Sequence, residues 1–219
     1  MSVGGSSHGQ RSSTHRSYKL RITVIQNGMV AAMISALPAI AAELGADERT
    51  LRRATARGTV RARRPRARQL ELPAGELDYL RVHWGLLHKL TAALRTEPNV
   101  ALAALYGSAA RGDDRSHSDI DLLVAFRNDA PGAASALARR LERALECPVD
   151  VARLSRVRDE APLLLLQALD EGRVLVDRDG AWPQMLGGRR ATARAAQRQM
   201  AVNRQAAARS LDLLLAEEF

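Results

Sequence analysis

The chain has 219 residues, room for one medium domain or two small ones, and its 46% hydrophobic content supports a folded core. The formal net charge of +9 points to a polyanionic partner or substrate, while 3% aromatics argue against base stacking on single strands. One cysteine, Cys147, excludes an internal disulfide and a cysteine metal cluster. It lies between a helical run and a strand-like run, reads as a core residue, and fits a reducing, cytoplasmic setting.

Residues 1–28 are expected to form a disordered tail, because residues 1–17 are rich in Ser, Gly and His with almost no apolar side chains. The apolar stretch Met29–Ala42 follows Lys19 and Arg21 in the manner of a leader. It is too short to span a bilayer, contains Pro38 and runs into Glu43 and a helical pattern. No membrane association is expected.

Residues 29–75 read as one compact unit. Leu37, Ile40, Ala41 and Leu44 share a helical face, and Gly45 ends that helix. Asp47 caps a second helix that runs to Arg57 and stops at Gly58. Thr59–Arg63 and Ala67–Leu72 read as two short strands around Pro65. Helix, turn, helix and hairpin together describe a winged helix-turn-helix.

Pro73 and Gly75 mark a boundary, and residues 76–182 read as a second domain. A helix over 76–96 places Leu77, Leu80, Trp84, Leu87 and Leu90 or Leu94 inward. Strands are predicted at Val100–Tyr106, Asp119–Phe126, Val149–Leu154 and Arg173–Val176, with helices at Ala133–Glu146 and Ala161–Glu171. Residues 183–219 form a tail, one Ala- and Arg-rich helix from Gly187 onward. The pattern is an α+β fold, a small mixed sheet flanked by helices.

The chemistry concentrates between Leu105 and Val124. Residues two apart on a strand share a face, so Asp119 and Asp121 project together while Ile120 and Leu122 point into the core. Carboxylates held so close repel unless a cation lies between them, and hard oxygen donors favour Mg2+ or Mn2+ over Zn2+. Asp150, between Val149 and Val151, joins them if its strand lies alongside. Three such carboxylates can hold two metal ions for in-line displacement at phosphorus. Upstream, a strand ending in Gly107 and Ser108 before a short helix offers free backbone N–H groups to a phosphate. Gly107 permits close approach, the Ser108 hydroxyl adds a donor, and Arg111 and Arg115 supply positive charge. Tyr106 and His117 read as packing and loop residues.

Positive charge is focused elsewhere. Arg49, Arg52, Arg53 and Arg57 recur on one face of the second helix, and Arg61, Arg63, Arg64, Arg66 and Arg68 line the hairpin. These nine arginines, with no acidic residue among them, equal the whole net charge of +9. A recognition helix with a basic wing suits duplex DNA.

Gly107-Ser108, ten intervening residues, then Asp119-Ile120-Asp121 resemble the signature of the DNA polymerase beta-like nucleotidyltransferase superfamily. Over about residues 76–180 the chain is similar to the minimal nucleotidyltransferases, many of them antitoxins paired with HEPN ribonuclease toxins. The resemblance implies that Gly107 and Ser108 hold nucleotide phosphates, Asp119 and Asp121 bind metals, and Asp150 helps activate the attacking hydroxyl. It implies transfer of a nucleoside monophosphate from a triphosphate, usually ATP, with release of pyrophosphate. The N-terminal unit departs from the pattern, since minimal members lack it. Two further readings stand beside it: a DNA-binding regulator that uses this fold as a scaffold or nucleotide sensor, and small-molecule modification as in the aminoglycoside nucleotidyltransferases. The basic tail from Arg189 to Arg209 disfavours the second of these.

Overall fold

The computed structural model describes residues 37–66, 69–115 and 118–217, so the expectations for the tail over 1–28 and for His117 and Arg68 lie outside the described residues. Two short helices come first, α1 (Leu37–Glu43) and α2 (Glu48–Arg57). Asp47 accepts a hydrogen bond from the Thr50 N–H at 3.2 Å, satisfying one of the orphan donors of the first turn. Gly58 ends α2 in the left-handed region at φ 91°.

A two-stranded antiparallel hairpin follows, β1 (Arg63–Arg66) and β2 (Gln69–Glu71). The first strand begins later than the sequence pattern predicts. Thr59 and Val60 are buried instead, because the Thr59 hydroxyl donates to the Val174 carbonyl and the Val174 N–H donates to the Gly58 carbonyl. Tertiary contact overrides the local strand preference there.

The long helix α3 (Ala74–Arg95) leads into β3 (Val100–Tyr106), the one-turn α4 (Gly107–Arg111) and β4 (Ile120–Phe126). Then come α5 (Ala133–Leu145), β5 (Val149–Arg153), α6 (Leu154–Glu160), α7 (Pro162–Glu171) and β6 (Arg173–Asp177). The chain ends in α8 (Ala181–Gly187) and α9 (Arg189–Glu217), and α9 lies against α7. The sequence pattern missed α6 and α8. Both are seven-residue helices, too short for a clear period.

The sheet runs β5-β4-β3-β6, with β3 antiparallel to both neighbours and β4 parallel to β5. Both faces are covered, which is why β3 and β4 read as continuous apolar runs. On one face, Ala103, Leu105, Ile120, Leu122, Val149 and Val151 form a cluster with Leu80, Leu87 and Leu90 of α3 and Leu137 and Leu141 of α5. Leu37, Ile40 and Leu51 belong to that same cluster. On the other face, Leu102, Ala104, Tyr106 and Leu123 pack with Leu165, Ala168 and Leu169 of α7. Trp84, expected inward, is only partly buried. Glu76, Tyr79 and His83, on the same helix, are buried. Cys147 is half-buried against the first cluster, and burial pushes its thiol up, with Asp119 and Glu142 adding to the shift. No helix among the described residues is long and apolar enough to cross a membrane.

Candidate active site

Parallel pairing answers the question the sequence left open about Asp150. In the β4–β5 register Asp121 stands opposite Asp150, and Ile120 opposite Val149. Ile120, Leu122, Val149 and Val151 enter the first cluster, so alternation sends Asp121 and Asp150 to the other face. Tyr106, the cross-strand partner of Asp121 on β3, completes a row of three on that face. Asp119 immediately precedes β4 and is exposed.

The electrostatics show crowding. Burial raises the Asp121 carboxyl above its ordinary value of 3.8, and the charges of Asp150 and Asp119 raise it further. Burial, then Asp121 and Asp150, push the Tyr106 hydroxyl up to about 12, so it stays a neutral phenol. Among the described residues, Asp119, Asp121 and Asp150 form no ion pair. Arg111 offsets part of this, and adjacent oxygen donors that no cation pairs directly suit a hard divalent ion such as Mg2+ or Mn2+. Among the described residues, no three His, Cys, Asp or Glu side chains close into a cage that could hold a metal on their own.

The turn after β3 sits directly beside this row. Gly107 is left-handed at φ 73°, and a Cβ there would run into the Asp121 carboxylate. The free N–H expected at this turn is not free. The Gly107 N–H donates to Oε1 of Glu171 at 3.1 Å, and Arg111 Nη1 reaches both oxygens of the same carboxylate at 2.9 and 3.0 Å. Arg111 also pairs with Asp113 at 3.2 Å. Gln167 adds a fourth contact to Glu171 at 2.9 Å. An internal carboxylate therefore occupies the donors that the sequence assigned to a phosphate. The Ser108 side chain is half-buried, and Arg115 is exposed.

The far end of α4 is fixed from below. The Tyr79 hydroxyl donates to the Ala109 carbonyl at 2.9 Å, and Arg173 Nε donates to the Ala110 carbonyl at 2.7 Å. These donors satisfy carbonyls that a one-turn helix cannot pair internally. Arg173 also lies 3.4 Å from the Tyr79 ring centroid and forms a two-pronged ion pair with Glu76 at 2.6 and 3.0 Å. His83 stacks on Tyr79 and contacts Asp114, in the loop that leads to Asp119, at 2.7 Å. Gly112, left-handed at φ 87°, leaves no room for a Cβ against the Tyr79 ring, 2.9 Å away.

Glu171, Tyr79, Arg173 and Glu76 were not singled out from the sequence. Two signals existed. Glu171 ends α7, where a negative charge opposes the helix dipole unless it has another partner. Arg173 opens β6 directly before the apolar run Val174-Leu175-Val176, a placement that calls for a buried counter-ion.

The arginine-rich face is divided by the fold. Arg57 turns into the protein and donates to the Leu175 carbonyl at 2.8 Å. Arg61 donates to the Glu171 carbonyl. Arg52 pairs with Glu48 one turn back at 2.6 Å. Arg49, Arg53 and Arg63 remain exposed. Of the four arginines expected to share one face of α2, Arg57 is drawn away from solvent, because α2 docks on β6 along its Arg57 side.

Comparison with known proteins gives two kinds of match. Residues 88–181 match the family described as Polymerase beta, Nucleotidyltransferase. Among solved structures, a toxin–antitoxin complex with AMP-PNP is 26% identical, with 57% of this chain and 97% of that chain covered and a TM-score of 0.45. A tri-AMPylated Shewanella oneidensis HEPN toxin in complex with MNT antitoxin is 25% identical, with 59% and 98% covered and a TM-score of 0.43. No curated protein matches the chain.

Proposed function

We propose, from the match of residues 88–181 to the polymerase beta nucleotidyltransferase family, that the chain moves a nucleoside monophosphate from a triphosphate, ATP first among them, to a hydroxyl on a protein or RNA. The observation that supports this most directly is the register of Asp121 with Asp150 beside the Gly107 turn. Asp119, Asp121 and Asp150 are the residues that would hold Mg2+ or Mn2+, which when bound would neutralise phosphate charge and orient the reacting oxygens. Asp150, the most exposed of the pair in register, takes the proton of the attacking hydroxyl. The hydroxyl oxygen bonds to the α-phosphorus, and the bond to the β-phosphate breaks to release pyrophosphate. Gly107, Ser108 and Arg111 cradle the phosphates once Glu171 yields the Gly107 N–H and the Arg111 guanidinium.

The similarity of the Gly107–Asp121 segment to antitoxins that pair with HEPN toxins makes a HEPN-type protein encoded next to this gene the first acceptor to test. The experiment incubates the full chain with that protein, Mg2+ and ATP labelled on the α-phosphate. The acceptor becomes labelled, and Asp119→Ala with Asp121→Ala abolishes the label. Labelling that survives the double substitution refutes the assignment.

A second reading, DNA-linked regulation, draws on the exposed Arg49, Arg53 and Arg63. A gel shift on the chain's own promoter over a salt series tests it, and no shift at low salt ends it.

A further inference from the structure

Away from the carboxylates, a cleft of about 140 Å3 opens between α2 and α3. That is roughly ten times the ~10–15 Å3 that one water requires. Arg53, Arg57, Arg95, His88, Thr50 and Trp84 stand on its walls, and among the described residues no acidic one lines it. Helix α3 covers the sheet face opposite to Asp121 and Asp150, so this cleft and the carboxylate row are separate places.

Three guanidinium groups converge here without a counter-ion. Among the described residues, none of Arg53, Arg57 and Arg95 makes an ion pair. Arg57 is half-buried and anchored by the Leu175 carbonyl, which holds its planar fork in place. Burial weakens its grip on its proton, and the charges of Arg95 and Arg53 weaken it further. A half-buried cation beside two like charges is an arrangement that an anion relieves. Guanidinium forks match the oxygens of a phosphate in pairs. Thr50 offers a hydroxyl from the wall, and the partly buried Trp84 supplies an aromatic surface beside His88, ring centroids 6.4 Å apart.

We propose that this cleft binds a phosphate group, carried either by a small phosphorylated molecule or by a nucleic acid. The site is concave, whereas a helix that reads duplex DNA protrudes into the groove. Arg53 and Arg57 therefore meet a phosphate from the walls of a recess, whichever molecule carries it.

The test is titration calorimetry of the full chain in EDTA, which removes metal-assisted binding at the carboxylates. The probes are inorganic phosphate, AMP, a DNA duplex of about 20 base pairs and a hexaglutamate peptide. Three proteins are compared: wild type, Arg111→Gln, and Arg53→Gln with Arg95→Gln. Arg53 and Arg95 are exposed, so the double variant keeps its melting temperature, and Arg53→Lys with Arg95→Lys restores part of the binding by restoring charge. At least one phosphate probe binds, survives Arg111→Gln and weakens roughly tenfold or more in the double Gln variant. The probe that does so identifies the source of the phosphate. The proposal is overturned if no phosphate probe binds, if binding depends on Arg111 alone, or if only hexaglutamate responds.

Discussion

Gly107 and Asp121 are fitted to each other so closely that the glycine can carry no side chain without displacing the carboxylate. The turn that ends β3 and the acidic position on β4 are thus one geometric unit. Gly107→Ala introduces both the left-handed strain of a Cβ, about 1–2 kcal/mol, and a shifted Asp121. The expected outcome is a folded protein, modestly less stable by denaturant titration, whose transfer rate falls by about a hundredfold. An unchanged rate contradicts the unit.

Asp121 carries a pH signature. Its folded pKa lies above the ordinary 3.8, so the folded state binds this proton more tightly than the unfolded state does. The ionised carboxylate therefore opposes folding at neutral pH, and the penalty fades as pH falls through the folded pKa toward 3.8. In EDTA at neutral pH, Asp121→Asn is expected to raise the melting temperature slightly, since solvent screens the repulsion among these partly exposed carboxylates. The gap between variant and wild type narrows on acidification. Scanning calorimetry at several pH values shows whether it does.

Glu171 competes with a phosphate for Gly107 and Arg111. Glu171→Gln removes the competing charge while keeping a side chain of the same length. Nucleotide affinity, measured by titration with ATP, is expected to rise about two- to fivefold, as loss of a partly exposed ion pair allows. Weaker binding in the variant shows that Glu171 assists the nucleotide instead.

The Arg173–Glu76 pair is almost fully buried, with side chains 1% and 4% exposed. Glu76→Gln leaves a buried guanidinium unpaired and is expected to remove about 3–5 kcal/mol of stability. Adding Arg173→Met recovers part of that loss, because the neutral Gln–Met pair no longer leaves a buried charge without a counter-ion, although the buried Gln amide still has to find partners. The double variant still loses transfer activity, since Arg173 also holds the Ala110 carbonyl of α4. Thermal melts and activity together separate the two roles.

The four strands of the main sheet were legible in the sequence because each carries a run or alternation of apolar residues bounded by Gly, Pro or charge. Predicted Asp119–Phe126 and observed Ile120–Phe126 differ by one residue. The proximity of Asp150 to Asp121 was legible only as a condition, because strand order is a property of tertiary packing. Glu171 and Arg173 escaped notice for a different reason. Their partners Gly107, Arg111 and Glu76 lie 60 to 97 positions away, and no local period links such pairs. Arg57 reads as a solvated cation on its helix, and only the docking of α2 on β6 turns it inward.

The contact of Gly58 and Thr59 with Val174 carries a consequence for solubility. β6 is an outer strand of the sheet, and Arg173-Val174-Leu175-Val176 would otherwise present unpaired peptide groups in an apolar ribbon. The segment after α2 meets the Val174 N–H and carbonyl, and the Arg57 guanidinium meets the Leu175 carbonyl. The N-terminal helices thus act as a guard against aggregation, whatever else they bind, and trimming the chain back to the start of α3 would expose an adhesive border.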